Sequence, residues 1–154
     1  MDYIRQIRKK IGSDMLLTVG CGVILEKGNS ILLQHRKDED SWCIPGGLME
    51  IGETFEEAAK REVFEETGLI VENLELFGIY SGENGFATYP NGDKVYGIQI
   101  IFQSKVPEGE IRTNKEESHD HQFFETGSLP ENLTLRQQAF IFDWQSCAKR
   151  PIVK

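Results

Sequence analysis

Residues 47–69 read GLMEIGETFEEAAKREVFEETGL, and no other stretch of the chain restricts its fold as tightly. Thr54 followed by Glu57 is a capping-box signature that starts a helix near Phe55, and Gly68 supplies a left-handed C-terminal cap. Inside that helix Phe55, Ala59 and Val63 form an apolar stripe, while Ala58, Glu62, Glu65 and Glu66 lie on an adjoining face. Ala58 is small enough there to let a ligand approach the helix closely. Glu62, Glu65 and Glu66 stand at i, i+3 and i+4, about 5–6 Å apart at Cβ, so their charges repel. Each repulsion costs a few tenths of a kcal/mol in open water, but about 3 kcal/mol at an effective dielectric near 20. A divalent cation removes the repulsion. Hard oxygen donors on a rigid helix suit magnesium or manganese, the ions of phosphate chemistry.

At 154 residues the chain has the size of one domain, residues 1–154, with enough length to bury its own core. No apolar run approaches the ~20 residues that a membrane helix needs. The longest, Leu16 to Leu25, is interrupted by Thr18, Gly20 and Gly22 and reads as a buried strand. Met1 to Lys10 mixes charges and lacks the apolar core of a secretory signal, so a cytoplasmic protein is expected, without membrane partners. Cys21, Cys43 and Cys147 are odd in number and have no CxxC spacing, which leaves reduced thiols rather than a disulfide framework or a zinc knuckle. A net charge of −8 opposes binding of long nucleic acids through their phosphates. A small anionic substrate then requires metal ions to reverse the local field.

In chain order, Ile4, Ile7 and Ile11 predict an N-terminal helix within residues 1–12, closed by Gly12. Met15 to Glu26 and Ser30 to Arg36 read as a hairpin turning at Lys27-Gly28-Asn29. Lys37 to Ser41 is a polar loop. Leu74 to Tyr80 is a strand, and Phe86 to Gln103 a second hairpin turning at Pro90 to Asp93, with Val95 to Phe102 as a central strand. Pro107 to His121 reads as a long mobile loop, its histidines 119 and 121 solvated; loops of that length are more often functional than not. Gln122 to Glu125 is a short strand. A C-terminal helix over residues 134–148 opens with a second capping box, Thr134 and Gln137. This order predicts an α+β fold, a mixed sheet covered by helices.

Written as spacing, the central stretch is G-x5-E-x7-R-E-V-x-E-E-x-G-L, with Gly47, Glu53, Arg61, Glu62, Val63, Glu65, Glu66, Gly68 and Leu69 at its fixed positions. It resembles a complete Nudix box. Trp42 and Pro45-Gly46-Gly47 before it, and Glu117, Phe123-Phe124 and Leu129-Pro130 after it, extend the resemblance over roughly residues 17–130. The resemblance implies an α/β/α sandwich around a mixed sheet. It also implies Mg2+-dependent hydrolysis, with Mn2+ as a substitute, of a small nucleoside diphosphate linked to another moiety. Glu62, Glu65 and Glu66 match the family's metal-binding glutamates, with the Gly46 carbonyl and Glu117 as further ligands. Glu53 and Arg61 match the groups that hold the metal site. The general base is Glu62 or an acid on the later loop, Glu117 or Glu116.

Outside the box, Arg36 and His35 end the second strand within reach of a phosphate, and Tyr80 and Tyr89 offer faces for a base. Markers of particular subfamilies are missing: Gly85 stands where many ADP-ribose hydrolases have proline, and the subfamily is not identified. A pyrophosphohydrolase of oxidised nucleoside triphosphates and a non-catalytic nucleotide-sensing module are the alternatives, while the acidic charge disfavours an RNA-cap hydrolase. The N-terminal helix and the Tyr89–Tyr96 hairpin could extend a homodimer interface.

Overall fold

Leu16–Lys27 (β1) is apolar on both faces, and a strand of that kind belongs in the middle of a covered sheet. The computed structural model of the protein, which describes residues 2–154, puts it there. Along one edge β1 runs parallel to Lys94–Lys105 (β7), in register from Leu16 opposite Val95 to Glu26 opposite Lys105. Along the other edge it divides its pairing. Gly20 to Gly22 pair with the short strand Gly46–Leu48 (β4), and only Glu26 and Lys27 pair with Ser30–Arg36 (β2), across the expected hairpin. β2 in turn carries Ser41–Cys43 (β3) and Ser118–Glu125 (β8). β7 carries Glu75–Tyr80 (β5) and Phe86–Thr88 (β6), and β5 is closed by Ile152–Val153 (β9).

Alternation along β1 feeds two cores. Cys21, Val23 and Leu25 pack with Leu32, Ile100 and Phe102 beneath Phe55–Thr67 (α2), through its Ala58, Ala59 and Val63. Ile24 packs on the opposite face with Ile31, Leu33, Phe77 and Ile101 beneath Gln138–Gln145 (α3), through Phe140, Ile141 and Trp144. The result is an α+β fold with an α/β/α sandwich around a mixed sheet, and each fully buried Leu, Ile or Phe adds about 1.5–3 kcal/mol. Tyr3–Ile11 (α1) lies outside this sandwich and buries none of its residues. Asp2 caps it, and Arg8 ties it down through the carbonyls of Asp14 at 2.6 Å and Lys94 at 2.7 Å. Among the described residues no helix is long and apolar enough to cross a membrane.

The capping box at Thr54 and Glu57 forms in full, and Gly68 adopts φ 73 at the helix end. Four sequence expectations are corrected. Phe55 is exposed and does not join Ala59 and Val63, because it stands at the first turn, before the helix meets the sheet. Ala58 is fully buried, so its small size serves packing against the sheet rather than access for a ligand. β8 begins at Ser118, which shortens the loop and puts His119, Asp120 and His121 on a strand. Pairing with β2 explains this, since it satisfies their backbone while Ser118 Oγ donates to buried Gln34 at 2.9 Å. His121 is accordingly half-buried, its Nδ1 3.0 Å from the Thr113 hydroxyl.

The fourth correction concerns the C-terminal helix. Leu135–Gln137 is a 3-10 turn, α3 is confined to Gln138–Gln145, and no side chain caps it. Both members of the expected capping box are committed elsewhere. The Thr134 hydroxyl meets that of Ser41 at 2.7 Å, and Gln137 Oε1 accepts the Ile44 N–H at 2.8 Å. Buried polar groups on β3 and its flank need partners more than an exposed helix end does.

Thr134→Val tests that assignment. It strands the Ser41 hydroxyl and is expected to cost about 1 kcal/mol, or roughly 2–4 °C in Tm, with unchanged helical circular dichroism. A loss of helix signal instead would restore the capping role.

Candidate active site

Gly46 and Gly47 determine how closely β4 can lie between β1 and α2. A Cβ on Gly46 would stand 2.6 Å from Gly22 Cα and 2.7 Å from the Cys21 carbonyl, and one on Gly47 would stand 2.5 Å from the Glu62 carboxyl. Both glycines serve close approach. The space they leave is taken by the carboxylates of α2. Glu66 is 7% exposed and accepts the Gly46 N–H at 2.8 Å. Burial pushes its pKa up to about 8, against the opposing effect of hydrogen bonds from Gln34 and Gly46. Glu62 is shifted in the same direction, by burial first, and the charges of Glu65 and Glu117 add to that shift.

Arg61 is the cation that Glu53, Glu62 and Glu65 share. Its guanidinium reaches Glu53 Oε1 at 2.5 Å and Oε2 at 3.0 Å, Glu62 Oε1 at 2.7 Å, Glu65 Oε2 at 3.3 Å and the Leu48 carbonyl at 3.1 Å. Glu53 also accepts the Glu50 N–H at 2.8 Å, and Arg61 holds its carboxyl below the usual range. The network locks the loop before α2 to the helix and points Glu62 at β4.

Among the described residues no three acidic, histidine or cysteine side chains already converge to hold an ion. Glu62 is turned toward Arg61 and Glu66 toward Gly46 N–H. The donor chemistry nevertheless fits a hard divalent cation. Two carboxylates are buried without enough positive charge to keep them readily ionised, and exposed Glu65 lies beside them. Glu62, Glu65, Glu66 and the Gly46 carbonyl are the candidate ligands.

These groups form one wall of a cleft of about 640 Å³ whose other walls include Arg36, Glu117, Tyr89 and Arg136. Arg36 is held by Asp38 through two bonds of 2.9 and 2.7 Å. Arg136 is held by Glu39 at 3.0 and 2.8 Å and lies 5.3 Å above the Tyr89 ring. Sequence reasoning did not find Arg136 or Gln99, which also lines the cleft. Neither sits in a motif, and only the fold brings Arg136, Glu39 and Tyr89 together. Two expected contacts are not brought there. His35 alternates to the opposite face from Arg36, stacks on Trp42 at 4.9 Å and lies 2.8 Å from Asp40 Oδ1. Tyr80 is buried beneath α3, where its hydroxyl donates to Asp143 at 2.8 Å.

Comparison with known proteins agrees with this geometry. The family model described as NUDIX domain matches residues 16–144. The chain is 39% identical over 124 residues to an ADP-ribose pyrophosphatase of Methanocaldococcus jannaschii, covering 79% of this chain and 69% of that protein. It is 37% identical over 115 residues to the NAD-capped RNA hydrolase NudC of Haemophilus influenzae, covering 71% of this chain but only 40% of that protein. Among solved structures it resembles a MutT NUDIX hydrolase from Burkholderia pseudomallei, with a TM-score of 0.71, 25% identity, and coverage of 82% and 97% of the two chains.

The raised pKa of Glu66 sets a sign for stability. Without a cation, the folded protein keeps a proton that the unfolded chain loses near the ordinary value of 4.5, so stability falls as pH rises from about 5 through about 8. Thermal unfolding in EDTA should show that decline, and Mg2+ should remove it by binding the ionised carboxylates. A melting temperature in EDTA that is flat or rising over this range would contradict the assignment.

Proposed function

Because this chain belongs to the Nudix hydrolase family, we propose that residues 1–154 act as a single domain that cleaves the pyrophosphate bond of a small nucleoside diphosphate derivative with Mg2+. The observation that carries this reading is the Arg61-bound acid cluster beside a cleft that Arg36 and Arg136 also line. Bound Mg2+, or Mn2+ in its place, would shield the pyrophosphate charge and polarise the bond to be broken, held by Glu62, Glu65, Glu66 and the Gly46 carbonyl. The chain's own residues supply the rest. Arg61 fixes Glu62 and Glu53 in orientation. Glu62, oriented by Arg61 beside the metal site, takes a proton from water as the water oxygen attacks phosphorus. The bridging P–O bond breaks, and its electron pair leaves with the departing phosphate. Arg36 and Arg136 meet phosphate oxygens across the cleft.

ADP-ribose is the first substrate to try, on the strength of the archaeal relative's name and 39% identity. A net charge of −8 favours a free nucleotide over capped RNA. All three box glutamates are present, Glu62 and Glu65 bound by Arg61 and Glu66 by the Gly46 N–H, which favours an enzyme over a sensing module.

A substrate panel of nucleoside triphosphates, their oxidised forms, nucleotide sugars, ADP-ribose and dinucleotide polyphosphates, with product identification, tests the reading. Phosphate-bond cleavage confined to oxidised triphosphates would favour the housecleaning alternative, and binding without cleavage of any member would favour the sensing module. Glu65→Gln and Glu66→Gln are expected to abolish turnover in folded protein, and Glu62→Gln to lower kcat by about 10²–10⁴-fold. Full activity in both Glu65→Gln and Glu66→Gln would exclude them as metal ligands. A Glu62→Gln variant near wild type, with Glu117→Gln inactive, would move the base to the later loop.

A further inference from the structure

Gln99 projects from β7 onto a patch of the sheet where two glycines leave room for it. Its register partner on β1 is Gly20, and Gly97 lies two residues before it on the same face. A Cβ on Gly20 would stand 2.7 Å from Gln99 Oε1 and 3.0 Å from Nε2, and one on Gly97 would stand 3.2 Å from Nε2. The two glycines therefore form a seat that the carboxamide fills, in the way that Gly47 makes room for Glu62. Among the described residues the carboxamide has no hydrogen-bond partner, and it lines the cleft that holds Glu62 and Glu66. Half-buried at the cleft and held in place by its glycine seat, the carboxamide offers a donor and an acceptor to whatever enters.

The sheet register gives its distance from the chemistry. Leu48, Gly20 and Gln99 lie in one row across β4, β1 and β7. The Gln99 backbone stands two strand spacings from Leu48, roughly 10 Å, and its carboxamide reaches back over Gly20, one spacing from β4, whose Gly47 packs against Glu62. In the proposed reaction the acids of α2 and the two arginines serve the pyrophosphate, which leaves a neutral carboxamide beside them for the rest of the nucleotide. A carboxamide presents one donor and one acceptor side by side, which pairs with the edge of a nucleobase. Phosphate, offering acceptors only, would leave its oxygen unpaired. Tyr89 and Arg136, stacked on each other in the same cleft, add flat surfaces of the kind on which a base lies.

We infer that Gln99, seated on Gly20 and Gly97, is a specificity-determining residue that reads the base of the nucleotide. This rests on the reading of the cleft as a nucleotide hydrolase site. The experiment compares wild type with Gln99→Met, which fills the same seat without hydrogen bonding, on ADP-, GDP-, UDP- and CDP-ribose with Mg2+. In wild type kcat/KM should spread by about tenfold or more among the bases, the worth of one bidentate contact. In Gln99→Met the spread should shrink to within about threefold through a raised KM for the preferred base, with its kcat nearly unchanged. Gly20→Ala, which displaces the carboxamide, should change KM in the same way, and Gln99→Glu, which exchanges the donor for an acceptor, should reorder the bases.

A wild type indifferent to the base, or an undiminished spread in Gln99→Met, overturns the inference. So does an equal fall of kcat on all four substrates. If Gln99→Met does not fold, Gln99→Glu decides by the same criterion. If wild type hydrolyses none of the four, the hydrolase reading is what suffers, and calorimetry with AMP, GMP, UMP and CMP still decides about Gln99. Base-dependent affinity lost in the variant supports its role, and affinity that is the same in both proteins removes it.

Discussion

Carboxylates can be buried on α2 because β4 opposes them with glycine. Every other property of the site follows from that contact. Without side chains on Gly46 and Gly47, the strand backbone approaches both β1 and α2, Glu66 finds the Gly46 N–H, and Glu62 lies against Gly47. Burial then raises the cost of ionising both acids, as it does for any carboxylate removed from water. Arg61 relieves part of that cost for Glu62, but it is engaged by Glu53, Glu62 and Glu65 together. The remaining negative charge is what makes the cluster receptive to a cation.

The cleft owes its existence to the divided pairing of β1. Had β2 paired along the whole strand, no gap would have remained for β4, and α2 would have faced an ordinary sheet edge. Because β1 hands over from β4 to β2 near its end, β2 diverges and Arg36 comes to the far side of the opening. The acidic loop between β2 and β3 then serves the opposite wall. Asp38 holds Arg36, and Glu39 holds Arg136, so two positive groups are positioned by two successive acids. Paired in this way, they keep their orientation and still leave the cleft less negative than a net charge of −8 suggests.

The layered fold and the acid cluster were legible because they rest on short-range rules. A capping box, a C-terminal glycine and apolar periodicity define α2 from within, and the fixed spacing of Glu62, Glu65 and Glu66 places them together on any helix. What was not legible depended on partners distant in sequence. Thr134 and Gln137 look like a helix start, yet Ser41 and Ile44, more than ninety residues away, claim them. His119 to His121 look like loop because their polarity hides a strand that pairs with β2 in one register with Phe123 and Phe124 further along. Tyr80 and Tyr89 are alike as residues. Tyr80, on β5, lies under α3, and Tyr89, in the turn between β6 and β7, lies beneath Arg136.

By itself, then, the sequence determined the helix that bears the carboxylates, its limits, the acids that crowd one face and the arginine beside them, since all of these lie within a single helix and its caps. Tertiary structure decided what those acids face. It turned His35 away and Arg36 inward by strand alternation, brought Arg136 and Glu39 together across the chain, and seated Gln99 on two glycines of separate strands. Those choices belong to sheet register and to the path of β1, and a register is defined only when distant strands meet.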